Sequence, residues 1–173
     1  MDRIGAVTFN GNPLTLTGNE QKTGNKAPEF TVIGKDLKPV ALRDFLGKAK
    51  LISVTPSLDT PVCDTQARRF NEEAAKLPPE VAVLNISMDL PFAIGRFCAT
   101  AGIERIGTYS DHRDAEFGAN YGVLIKELRL LARAIFLIDK DNVIRYMEVV
   151  PEMTSNVNYG KALEETNKLF ARR

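Results

Sequence analysis

Residues 51–70, LISVTPSLDTPVCDTQARRF, decide how the rest of the chain is read. Leu51-Ile52-Ser53-Val54-Thr55 is an apolar, β-branched run and predicts a buried strand. Pro56 and a short polar turn follow, and then Thr60-Pro61 marks a helix start. Thr60 suits an N-cap, and Pro61 suits the first helical position because its missing N–H had no intrahelical partner to lose. Cys63 then occupies the third helical position, among free N–H groups and at the positive end of the helix dipole. Such a place favours the thiolate, the reactive form of cysteine. A plainer reading stands beside it. Cys63, Ala67, Phe70, Ala74 and Leu77 recur at helical spacing, so Cys63 also fits a small apolar member of a core-facing stripe. Asp64 opposes the reactive reading, since a neighbouring carboxylate disfavours a thiolate, and a cation from elsewhere in the chain must outweigh it.

Upstream of this stretch, residues 6–9 and 14–17 flank Asn10-Gly11-Asn12-Pro13, and Asn-Gly is a strong hairpin signal. The first 18 residues therefore predict a β-hairpin laid against the domain. Residues 18–28 form a polar connection, 30–33 and 40–42 short strands, and 43–46 a helical turn closed by Gly47. Downstream, Pro78-Pro79 stops the first helix, and residues 81–86 predict a second buried strand. Pro91–Ala101 predicts a helix with Asp89 or Leu90 at its cap and Phe92, Phe97 and Ala101 packing inward. Cys98 lies in its second half, and Gly95 weakens it by about 1 kcal/mol relative to alanine. A short strand is expected at 108–110 and a short helix at 114–121, closed by Gly122. Residues 123–132 read either as loop or as a helix packing Leu128, Leu130 and Leu131. An antiparallel pair at 134–138 and 143–149 and a final helix at Tyr159–Ala171, burying Leu163, Leu169 and Phe170, complete the chain. Strands alternating with helices imply an α/β sandwich with a parallel centre, and the late hairpin adds antiparallel edges.

At 173 residues the chain fits one domain spanning 1–173. A net charge of +1 gives no reason to invoke nucleic acid. No apolar run approaches the roughly 20 residues that span a bilayer. The opening MDRIGAVTFNGN lacks the apolar core of a secretory signal, so the expected compartment is the cytoplasm. The two cysteines, Cys63 and Cys98, do not form a C-x-x-C pair, and with His112 as the one histidine they do not form a zinc site. In a reducing compartment a permanent disulfide is not expected, which leaves two structural thiols or a pair that closes only during turnover. Composition does not choose between them.

Pro56, Thr60 and Cys63 match the P-x-x-x-T-x-x-C pattern of peroxiredoxins, and PSLDTPVC at 56–63 resembles the thiol peroxidase branch, the atypical two-cysteine type. FNGNPLTLTG at 9–18, SMDLPFAIGRFC at 87–98, DAEFGANYGV at 114–123 and LLARAIFLID at 130–139 resemble the same branch, in the expected order along nearly the whole chain. The resemblance implies a thioredoxin-like fold, with a mixed central sheet flanked by helices and an N-terminal β-hairpin extension. It implies Cys63 as the peroxidatic nucleophile, Cys98 as the resolving cysteine and Arg133, in LLARAIF, as the missing cation. Spacing alone does not choose Arg133 over Arg129, Arg68 or Arg69.

In that chemistry a thiolate attacks one oxygen of a hydroperoxide while nearby donors hold the peroxide and stabilise the departing oxygen. The Thr60 hydroxyl is positioned to serve the Cys63 backbone, thiolate or peroxide, and Pro56 shapes the loop and excludes water. The resulting sulfenic acid condenses with a second thiol. A cysteine midway along a separate helix does not start within disulfide range, so both helices are expected to unwind locally during turnover. The family further implies thioredoxin as reductant and a homodimer, with no flavin, haem or metal cofactor. His112 reads as a surface residue. The alternatives are a thioredoxin-like thiol–disulfide oxidoreductase, which the absence of C-x-x-C disfavours, and a non-enzymatic binding module with two inert thiols.

Overall fold

The apolar run after Gly47 forms a strand with neighbours on both edges and cover on both faces, which is why it carries so little polarity. The computed structural model describes residues 1–171. In chain order its elements are β1 (Asp2–Phe9), β2 (Asn12–Thr17), β3 (Thr31–Ile33), β4 (Pro39–Ala41), a 3-10 turn (Leu42–Phe45), β5 (Ala49–Val54), α1 (Pro61–Ala74), β6 (Val81–Ser87) and α2 (Pro91–Ala101). Then follow β7 (Gly107–Ser110), α3 (Glu116–Asn120), β8 (Leu124–Ile125), β9 (Leu130–Leu131), β10 (Ala134–Ile138), β11 (Ile144–Val149) and α4 (Tyr159–Ala171).

Seven strands form the main sheet in the order β11-β10-β5-β6-β7-β3-β4. The centre β5-β6-β7 is parallel, and the strands on either side join it antiparallel. Successive residues of β5 serve opposite faces, as strand geometry requires. Leu51 packs with Ala67 and Phe70 of α1, Ile94 of α2 and Ala162 of α4. Ile52 and Val54 pack on the other side with Val7 and Leu16 of the N-terminal hairpin and with Phe117 of α3. The hairpin turn at Asn10-Gly11 has positive φ at both residues, 49° and 80°, the tight-turn geometry that this dipeptide favours. Among the described residues no helix is long and apolar enough to cross a membrane.

Three expectations need correcting. Residues 123–132 are not a helix and not wholly loop: β8 and β9, joined by a turn at 126–129, extend the hairpin into a second sheet, β1-β2-β8-β9. Thr15 helps to hold them there, its N–H donating to the Glu127 carboxylate at 2.9 Å and its carbonyl accepting from Lys126 N at 2.9 Å. Phe92 does not pack inward. It is 72% exposed, and the buried stripe of α2 is Pro91, Ile94 and Cys98. On α4 Leu163 and Leu169 do pack against the core, half-buried, but the fully buried positions beside them are Ala162 and Thr166, which the apolar pattern did not single out.

Candidate active site

α1 begins where the sequence signals place it, with Pro61 at its first position and Thr60 as the N-cap residue. The first intrahelical bond runs from Asp64 N to Thr60 O at 2.9 Å. Cys63 therefore sits at the third position, where backbone N–H groups have no intrahelical acceptor. The topology then supplies the cation. β10 is antiparallel to β5 with Ala134 opposite Val54, so the residue before β10 lies at the carboxyl end of β5, where the chain turns toward α1. That residue is Arg133, and its Nη2 donates to Cys63 Sγ at 3.3 Å.

The guanidinium is buried and held on several sides. Its Nε and Nη2 donate to the carbonyl of Met153 at 3.0 and 2.8 Å, and its Nη1 donates to Gln66 Oε1 at 3.0 Å. Gln66, one helical turn after Cys63, donates in turn to Ser53 Oγ at 2.7 Å and to the Val54 carbonyl at 3.3 Å. Asn85, opposite Ser53 in β6, donates to the same hydroxyl at 3.3 Å. A planar guanidinium fixed in this way keeps its charge while buried, because its donors have acceptors. Asp64, the charge that opposed a thiolate, is instead engaged by Arg68 one turn along the helix.

The remaining predicted residues fall around this pair in different ways. Pro56 is buried in the loop between β5 and α1. The next residues are tied to the start of α2: Ser57 Oγ and Leu58 N donate to the Asp89 carboxylate at 2.7 and 2.8 Å. Thr60 departs from expectation. Its hydroxyl donates to the Ser57 carbonyl at 3.1 Å, and among the described residues no side chain caps the start of α1. The hydroxyl therefore stabilises the approach to the helix in this conformation, not the first turn. Cys98 is a free, buried thiol with its Sγ 3.3 Å from Thr108 Oγ1, in the apolar cluster that α1 and α2 share. Arg68 and Arg69 are exposed and paired to Asp64 and Glu73, and His112 Nδ1 lies 2.8 Å from Ser110 Oγ.

The Redoxin family pattern matches residues 22–163 of the chain. The thiol peroxidase of Halalkalibacterium halodurans is 58% identical over 161 residues, covering 93% of this chain and 96% of that one. The thiol peroxidase of Bacillus subtilis is 52% identical, covering 94% and 97%. The chain belongs to the thiol peroxidase family. Among solved structures, a peroxiredoxin-like protein from Aquifex aeolicus superposes with a TM-score of 0.89 at 40% identity, covering 96% of this chain and 98% of that one.

Within this family member, reading the sequence left out Gln66, Ser53, Asn85 and the Met153 carbonyl. The first three did carry a signal. Ser53 and Asn85 are polar residues inside buried, mostly apolar strands, and Gln66 lies on the buried side of α1 between Cys63 and Phe70. Buried polar groups require partners, so such positions mark a network. The Met153 carbonyl carried none, because every residue, proline included, offers the same backbone acceptor. Tyr159 also approaches this region: its ring packs on Phe70 at 5.4 Å and carries Arg69 at 5.6 Å. Burial pushes its phenol up, partly offset by the charges of Arg133 and Arg69.

Proposed function

We propose that Cys63 is the peroxidatic nucleophile of a thiol-dependent peroxidase that reduces hydrogen peroxide and organic hydroperoxides. The observation that carries this reading is the contact of Arg133 Nη2 with Cys63 Sγ at 3.3 Å, at the N-terminal turn of α1. The thiolate attacks one peroxide oxygen and the O–O bond breaks. The departing oxygen takes a proton and leaves as water or an alcohol, and sulfur, oxidised by two electrons, keeps the other oxygen as a sulfenic acid. Arg133 and the free N–H groups of the first turn stabilise the charge that builds on the departing oxygen. Cys63 exposes none of its surface in this conformation, so a peroxide reaches it through local opening of the first turn.

Cys98 is the resolving thiol in this reading. Its sulfur attacks the sulfenic sulfur, water leaves, and a Cys63–Cys98 disulfide forms. Both thiols sit within folded helices, so α1 and α2 open locally to bring them together. An external dithiol of the thioredoxin type then reduces the disulfide by exchange, leaving two thiols and carrying the disulfide away. Thr60 and Pro56 shape the loop over the nucleophile. The same reading includes a homodimer, for which the exposed Leu90 and Phe92 offer apolar surface, and a reducing cytoplasmic setting.

Peroxide consumption with thioredoxin, its reductase and NADPH tests these roles in wild type, Cys63→Ser and Cys98→Ser. The expected result is turnover in wild type, none in Cys63→Ser, and a single sulfenate event without cycling in Cys98→Ser. Turnover in Cys63→Ser would remove the nucleophile assignment. Disulfide exchange by wild type without peroxide consumption would favour the oxidoreductase alternative.

A further inference from the structure

The Met153 carbonyl that receives two hydrogen bonds from Arg133 belongs to a segment with little regular structure, between β11 and α4. The N-terminal hairpin holds that segment from outside. Thr8 N donates to Pro151 O at 2.7 Å and Met153 N donates to Thr8 O at 2.8 Å, a parallel bridge centred on Thr8 and Glu152. The Glu152 side chain closes the arrangement. One carboxylate oxygen accepts from Gly11 N at 2.7 Å and from Thr8 Oγ1 at 3.1 Å, and the other accepts from Thr154 N at 2.8 Å and Thr154 Oγ1 at 2.7 Å. These donors draw the carboxyl down to about 2, so it remains a full acceptor at any working pH.

We propose that Glu152 is a positioning residue for peroxide reduction: by joining the hairpin turn to Thr154 on either side of Met153, it sets the carbonyl that orients the Arg133 guanidinium on Cys63. The proposal rests on the peroxidase reading above and gives the hairpin extension a part in it. Met153 is the link. Its N–H is held by the hairpin and its carbonyl holds the guanidinium, so a displacement of one reaches the other through a single residue. Misplacing a reacting group by about 1 Å can cost up to about a hundredfold in rate, and Glu152 stands one residue further out, so a smaller loss is expected.

The test is steady-state kinetics of the full chain with tert-butyl hydroperoxide and thioredoxin, comparing wild type, Glu152→Gln and Glu152→Ala. Glu152→Ala is expected to lower kcat/KM for peroxide about tenfold and to leave kcat/KM for thioredoxin unchanged. Glu152→Gln, which keeps one acceptor oxygen and turns donors toward the other pair, should lose less. In an Arg133→Lys background the loss from Glu152→Ala should largely vanish, because the group being positioned is gone. The proposal is overturned by an unchanged kcat/KM for peroxide, by equal losses for both substrates, or by full additivity with Arg133→Lys. If Glu152→Ala does not fold, Thr8→Val, which removes a single donor to the carboxylate, should show the same selective loss at smaller size, and its absence overturns the proposal. A wild type that consumes no peroxide would sink the peroxidase reading instead. Iodoacetamide alkylation of Cys63 in the Cys98→Ser chain would still report on Glu152, slowing in Glu152→Ala if the positioning holds and not changing if it does not.

Discussion

Cys63 and Cys98 are both free, both buried and both on helices that cover the same face of the sheet, yet their surroundings differ in kind. Cys63 lies in the first turn of α1, against a guanidinium fixed by Met153 and Gln66. Cys98 lies in the second half of α2, beside the neutral Thr108 hydroxyl and among Ile94, Ile103 and Ile106. Burial does not separate the two thiols. What separates them is the guanidinium that donates to Cys63, where Cys98 has a neutral hydroxyl, and the end of the helix each occupies. A nucleophile and a thiol that waits for it can thus both be buried on neighbouring helices without competing for the same oxidant.

The largest test of this contrast is Arg133→Lys. An ammonium cannot donate to Met153, Gln66 and Cys63 in one planar array, so the rate of Cys63 oxidation should fall by about a hundredfold or more in stopped-flow peroxide assays. Modification of Cys98 should not change. An oxidation rate equal to wild type would mean that the charge, not its geometry, makes the difference. Gln66→Leu is a finer probe: it leaves Arg133 Nη1 without its acceptor and removes one of the two amide donors to Ser53 Oγ, while sparing the Arg133–Cys63 contact. Cys63 oxidation should slow by less than in Arg133→Lys, and chemical denaturation should show a loss of about 1–3 kcal/mol from the unsatisfied donor. The smallest effect belongs to the other thiol. Thr108→Val removes the hydroxyl beside Cys98, and it should leave peroxide reactivity unchanged and shift stability by about 1 kcal/mol or less. A large loss of peroxide reactivity in Thr108→Val would break the contrast, since Cys98's neighbour would then govern Cys63's chemistry.

Much of the fold was legible because its signals are local. The β-branched run of β5, the Thr60-Pro61 start of α1, the Pro91 start of α2 and the Asn10-Gly11 turn each act on their own few residues. β8 and β9 were not legible, since strands of two residues have no period to read and exist only because β2 lies beside them. Phe92 misled for a related reason: its apolar side chain is compatible with the core, but the phase of α2 is set by Pro91, Ile94 and Cys98 against the cluster beneath.

The candidate site divides along the same line. Sequence by itself determined where Cys63 sits, third in a proline-started helix after a buried strand, because caps, prolines and strand runs are decided by neighbouring residues. Family resemblance pointed to Arg133, but spacing did not, and only the tertiary structure shows why that arginine faces Cys63: β10 runs antiparallel to β5, and the carbonyl that receives the guanidinium belongs to a residue whose N–H is held by the N-terminal hairpin. A backbone acceptor has no residue signature, and pairing between strands distant in the chain has no local one.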